Sequence, residues 1–200
     1  MTNAGGAVAP GASAGQLTVD GNVTLNAEGF FNVELTGTTV GSQYDQLIVT
    51  GANRTVTLNN AKLNLSFGSG PFVPATGDTF TIIDNVASTS MVSGTFKDST
   101  GTNTLAEGGA VIASDNHFLI TNHGGIDGND VVLTADQTPP TATVVIADAS
   151  LSDSDNISDV TITFSETPSG FVEGDVTTSN GTLGSFTMVR TPSSPYETPT

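Results

Sequence analysis

The chain has 200 residues, with 4 Lys and Arg against 20 Asp and Glu, a formal charge of −16, and neither Cys nor Trp. That length corresponds to one or two domains. The charge argues against nucleic acid as a partner, because neutralising phosphates takes clustered cations, and Arg54, Lys62, Lys97 and Arg190 stand singly along the sequence. Without Cys there is no disulfide, no thiolate metal site and no cysteine nucleophile. Leu, Ile, Val and Phe make up a quarter of the chain, above the roughly 20% level below which a high net charge argues for disorder. A core can therefore form. The 32 Thr and 23 Gly residues favour short extended segments separated by turns over helices, so the expected class is all-β.

From Leu17 the apolar residues fall on alternate positions: Leu17 and Val19, Val23 and Leu25, then Phe31, Val33 and Leu35. This is the period-2 pattern of strands with one buried face. It resumes at Leu47 and Val49, Val56 and Leu58, Leu63, Leu65 and Phe67, Phe80 and Ile82, Phe118 and Ile120, and Val131 and Leu133. Between these segments lie Asp20-Gly21-Asn22, Gly51-Ala52-Asn53, Gly68-Ser69-Gly70-Pro71, Thr76-Gly77-Asp78 and Gly124-Gly125, residues that turns require. Strands at this spacing fit a solenoid, a sandwich or a barrel. Small polar strands and Asn-rich turns, with few large aromatic anchors, favour an irregular β-solenoid (a β-helix) with a terminal cap over residues 1–135. Stacked parallel strands of that kind ladder Asn and Thr side chains, and a cap covers the open sheet edge.

Pro139 and Pro140 remove two backbone donors and favour extended structure, which places a linker at residues 136–141. Thr143 to Ile146, Val160 to Phe164 and Leu183 to Val189 then read as three further strands over residues 142–200. An immunoglobulin-type sandwich takes about 100 residues, so the second module is expected to be an incomplete Ig-like β-sandwich. Residues 1–20 carry neither a basic start nor a signal-peptide apolar run, and no stretch approaches the ~18 apolar residues of a membrane span. The chain therefore reads as a portion of a longer protein.

Two stretches carry a resemblance. Val8-Ala9-Pro10-Gly11, Gly15 to Val19, Gly21 to Leu25, Tyr44-Asp45-Gln46-Leu47 and Gly124 to Leu133 resemble the β-helical passenger regions of bacterial autotransporter-like surface proteins, over about residues 8–134. Thr138 to Thr143, Val160 to Glu166, Ser169-Gly170-Phe171 and Ser179 to Leu183 resemble the bacterial Ig-like repeats of large adhesins. The second resemblance implies an extracellular or cell-surface stalk or adhesive module, one copy among neighbouring repeats of a longer parent, with no catalytic residues. Exposed rows of Thr and Asn are expected to offer a surface to glycans or other cell surfaces, with no single residue assigned that task.

The candidate chemistry is sparse. Asp148, Asp153, Asp155 and Asp159 form the densest acidic run. Their oxygen-only donors suit Ca²⁺, and Asp153 and Asp155 project to one side of an extended loop. Ser158 and Phe164 stand where an EF-hand loop has Gly and Glu, so a solvated loop fits these residues as well as a calcium site at Asp148, Asp153 and Asp155 does. Gly124 to Leu133 is one residue out of register with the calcium-binding repeats of secreted toxins. His117 and His123 share one face of a strand but lie about 20 Å apart along it, too far for one metal.

The enzymatic competitor is a carbohydrate-active β-helix. A lyase needs cations against a uronate carboxylate, and a hydrolase needs two carboxylates about 5 to 9.5 Å apart, for which Asp45 and Asp84 are available. Tyr44 and Asp45 read more simply as fixing a turn between rungs. The expectation is thus a non-catalytic structural or adhesive segment of a large bacterial surface or secreted protein, with a carbohydrate-active enzyme fragment and a calcium-rigidified spacer as alternatives.

Overall fold

The computed structural model describes residues 1–3, 5–70, 72–139, 141–154, 156–165, 171–179 and 181–187. The chain divides into two compact units, Met1–Thr138 and Pro139–Thr200. It is all-β, with one short 3₁₀ turn, Glu173–Asp175, as the helical element among the described residues.

The first unit begins with β1 (Ala7–Val8), β2 (Gln16–Asp20) and β3 (Val23–Thr24). Three more strands follow, β4 (Phe30–Glu34), β5 (Gln46–Thr50) and β6 (Thr55–Thr57). A third set is β7 (Lys62–Ser66), β8 (Thr79–Asn85) and β9 (Met91–Ser93), and β10 (Phe96–Lys97) opens a fourth. Each strand pairs in parallel with its counterpart in the next set: β1 with β4, β4 with β7 and β7 with β10; β2 with β5 and β5 with β8; β3 with β6 and β6 with β9. The chain thus visits three sheets in the same order, circuit after circuit.

Register follows from burial. Leu17 stands beside Leu47 and Leu47 beside Ile83; Val23, Val56 and Val92 form a second row; Phe31 and Leu63 form a third. A slip of one residue would turn each of these side chains out to water. The circuits are unequal. Side chains that meet across them are separated by 30 residues (Gln16 and Gln46), 32 (Asn32 and Asn64) or 33 (Asn26 and Asn59), and this inequality leaves no fixed period in the sequence. Polar ladders join the circuits: Asn64 Nδ2 donates to Asn32 Oδ1 at 3.2 Å, and Asn59 Nδ2 to Asn26 Oδ1 at 3.3 Å. Asn53, Asn59 and Asn60 adopt positive φ at the corners, a conformation Asn tolerates better than other side-chain-bearing residues.

Aromatic anchors, expected to be few, are central. Phe31, Phe80, Phe96 and Phe118 are among the largest fully buried side chains. Phe31 stacks on Phe96 at 5.8 Å between centroids, and Phe80 meets Tyr44 and Phe118 edge-on at 5.4 and 6.0 Å. These four aromatics, dispersed through the sequence, share one buried interior: Phe31, Phe80 and Phe96 enter it from successive circuits, and Phe118 from the antiparallel strands that follow.

The strand set ends in antiparallel structure. β11 (Thr104–Leu105) pairs with β10, and β12 (Gly109–Ala113), β13 (Asn116–Gly124) and β14 (Asp130–Ala135) form a meander. β14 lies antiparallel on β8, setting Leu133 beside Phe80. The edge that β8 would otherwise expose is therefore hydrogen-bonded.

In the second unit, β15 (Ala142–Ile146) pairs antiparallel with β16 (Val160–Phe164). The strand expected at Leu183 to Val189 does not form over the described part, Leu183 to Thr187; Met188 and Val189 lie outside the described residues. No backbone edge pairs with this segment among the described residues, and Phe186 packs instead on Phe171 at 5.9 Å, which in turn meets Phe164 at 4.9 Å. The β15–β16 pair carries Val144, Val145, Ile146 and Val160 exposed.

Leu63 is buried between Phe31 and the rest of the interior. Leu63→Ala should destabilise the first unit by about 2–5 kcal/mol, with no room for relaxation among stacked neighbours. Ile126→Ala, at a fully exposed position, should change stability by less than about 0.5 kcal/mol. Denaturant unfolding followed by circular dichroism checks both.

Candidate functional site

The carboxylates fall into three groups according to what surrounds them. The first is Asp45, just before β5 and buried. Its Oδ1 accepts the Gly15 amide at 2.8 Å, and its Oδ2 accepts the Glu34 amide at 2.9 Å. One side chain thus joins the approach to β2, the end of β4 and the start of β5. Tyr44 beside it is buried against Phe80. Both carboxylate oxygens are engaged by backbone donors, the arrangement that fixes a corner.

The second group is Asp84, Asp127 and Asp130, where β8 meets β14. Burial pushes the Asp84 carboxyl above its ordinary range. Burial also raises Asp130; the Asn85 amide, which donates to Asp130 Oδ1 at 2.9 Å, lowers it, and the charges of Asp84 and Asp127 raise it again. Tyr44 is raised by burial, and Asp84 adds to the shift. Glycine is required at position 125: with φ at 76°, a Cβ there would run into Asp130 Oδ2. The residues from Gly124 to Asp130 therefore form a tight turn closed over its own carboxylate. The sequence offered Asp45 or Asp84 as a candidate hydrolytic acid; in the fold Asp45 is held by backbone amides, and Asp84 lies near enough to Asp130 for its charge to act on it, through the pairing of β8 with β14. The available signal for Asp130 was its place at the start of the Val131 to Leu133 strand.

The third group is the acidic run of the second unit. Asp148 and Asp153 are exposed, and the Asp148 amide donates to Ser158 Oγ at 3.0 Å. Asp155 lies outside the described residues. Among the described residues, no three His, Cys, Asp or Glu side chains are grouped so as to hold a metal ion.

The cations among the described residues are each engaged. Arg54 Nη2 pairs with Asp20 Oδ1 at 3.0 Å across two circuits. Lys62 Nζ lies 5.0 Å from the centre of the Phe30 ring, and Lys97 Nζ donates to the Gly101 carbonyl at 3.1 Å. Lys62 and Lys97, isolated in the sequence, are register partners on β7 and β10; their separation equals one circuit. Arg190 lies outside the described residues. His117 is exposed, and His123 Nδ1 lies 3.5 Å from Glu107 Oε2, both side chains half-exposed. Such a surface pair contributes about 0–1 kcal/mol.

Residues 136–197 match the family of bacterial Ig-like domains. No curated protein and no solved structure matches the chain. No helix among the described residues is long and apolar enough to cross a membrane.

Two outcomes test this reading of the carboxylates. Asp45→Ala strands two amides and should cost about 2–4 kcal/mol in denaturant unfolding. Asp84 acts in the opposite sense. A carboxyl whose pKa rises on folding binds its proton more tightly in the native state, so its ionisation opposes folding as pH climbs through the raised value. Asp84→Asn should therefore raise Tm near pH 7, and the gain should shrink as pH falls through the raised native value, where the folded carboxyl takes up its proton.

Proposed function

We propose that this chain is a non-catalytic structural and adhesive segment of a bacterial surface or secreted protein, in which a short capped β-solenoid carries an Ig-like module. The match of residues 136–197 to bacterial Ig-like domains carries the reading. Three sheets visited in constant order, with every strand of one circuit parallel to its counterpart in the next, support the solenoid. The terminal meander acts as its cap, and residues 136–141 serve as the linker.

An assembly of this kind transmits position instead of reacting. Its interior is filled by Phe, Leu, Ile and Val. Asp45 is consumed as a backbone staple and the described cations are held in local contacts. The exterior is strongly acidic, which keeps neighbouring copies soluble and apart. Exposed polar rows of Thr and Asn supply the surface for contact with glycans or other cells. The resemblance of residues 8–134 to autotransporter-like passengers agrees with this role.

An antibody against residues 139–200 should label intact cells of the source organism, or its culture medium, and protease shaving should remove the cell-bound signal. Label confined to permeabilised cells would contradict the proposal. The purified chain should release no reducing ends from a panel of neutral and uronate polysaccharides; turnover that Asp84→Asn and Asp130→Asn abolish would establish the enzymatic alternative instead.

A further inference from the structure

Glycine follows Asp at two places, Asp20-Gly21 and Asp127-Gly128, and follows Asn at one, Asn180-Gly181. Before glycine, a carboxyl is most readily reached by the next main-chain amide, because glycine has no Cβ to obstruct the approach. The two Asp pairs share a sequence and differ in their surroundings. Asp20 ends β2, where it is the register partner of Thr50, and its Oδ1 is held by Arg54 Nη2 at 3.0 Å. Closing a ring there would break the ion pair and rotate backbone that the β2–β5 ladder fixes. Asp127 stands in the turn between β13 and β14, with the fully exposed Ile126 before it and an exposed Gly128 after it. Among the described residues, neither the Asp127 carboxylate nor the Gly128 amide has a hydrogen-bond partner. The residues that follow are tightly held: Asn129 Nδ2 donates to the Asn85 and Ala87 carbonyls at 2.7 and 2.8 Å, and Asp130 Oδ1 accepts the Asn85 amide at 2.9 Å. These three bonds clasp the end of β8, and the contact of Gly125 with Asp130 leaves the turn little slack.

We propose that Asp127 is a site of spontaneous isomerisation, which converts it to isoaspartate and loosens the clasp of the terminal meander on β8. The Gly128 nitrogen attacks Asp127 Cγ, a proximity reaction within one chain. The new C–N bond forms as the C–OH bond breaks, and the amide proton leaves with the hydroxyl as water. The resulting five-membered succinimide then takes water back. Attack at Cγ restores Asp127. Attack at the main-chain carbonyl carbon breaks its bond to the Gly128 nitrogen and leaves the chain running through Cγ. The net change is an isomerisation, with no oxidant, no cofactor and no change of mass. It inserts one atom into the main chain two residues before Asn129. In a turn pinned on both sides, that atom displaces Asn129 and Asp130 and releases the Asn85 amide.

Prolonged incubation of the full chain at neutral pH, followed by peptide mapping with electron-transfer fragmentation, distinguishes the two linkages. Isoaspartate should accumulate several-fold faster at Asp127 than at Asp20. Deamidation at Asn180, which lies outside the described residues, adds mass and is separated on that ground. Asp127→Glu keeps the charge but would have to close a six-membered ring, so the signal at position 127 should vanish. Asp127→Asn, which loses ammonia more readily than Asp loses water, should reach the same isoaspartate sooner. Hydrogen exchange reads the clasp: the Asn85 amide should be less protected in aged wild type than in fresh protein, and aged Asp127→Glu should keep its protection. Isoaspartate that forms at Asp20 as fast as at Asp127, or at neither, overturns the proposal. So does protein converted at position 127 whose Asn85 amide is as protected as before, or aged Asp127→Glu that loses protection to the same extent as wild type.

Discussion

The first unit depends on parallel backbone pairing between successive circuits of the chain. Each strand except those at the ends has its hydrogen-bonding groups completed by the circuit before and the circuit after, and the side chains it turns inward are stacked on the same positions of those circuits. Burial and backbone satisfaction are therefore one constraint: a shift that exposes a row of aliphatics also breaks its ladder. The parallel-paired strands, two to seven residues long, would be marginal by themselves. They are held because each contributes to a row that runs the length of the unit.

The same arrangement explains how so acidic a chain tolerates its charge. Most carboxylates remain at the surface, and the few drawn inward are handled differently. Asp45 is satisfied by two amides from two other segments and so reinforces the corner that brings β2, β4 and β5 together. Asp84 and Asp130 meet at the joint between β8 and the terminal meander, where burial of both raises their proton affinity. That joint is the place where the repeating part of the unit gives way to antiparallel structure. An electrostatic cost there couples the closing of the unit to pH.

The second unit is built on a different principle. Its two described strands pair locally, residue 142 with 164 and 146 with 160, and Phe164 of β16 meets Phe171, which in turn meets Phe186. Local antiparallel pairing requires no neighbouring circuit, which suits a module used singly or in series.

The all-β class, nine of the fourteen strands of the first unit and several of its turns were legible in the sequence; β1 and the short strands β9 to β12 were not. Alternation at period 2 and the conformational tolerance of Gly and Asn are local properties, encoded within a few residues. Pairing was not legible: which strand lies beside which is set by contacts some 30 to 36 residues apart, and the unequal circuits erase the period that would have announced them. For that reason the aromatic cluster of Phe31, Phe80, Phe96 and Phe118, the adjacency of Lys62 and Lys97, and the meeting of Asp84 with Asp130 appear only in the folded chain. Local chemistry chose the strands; the free energy of closing long loops, recovered only when whole rows are buried together, chose their neighbours.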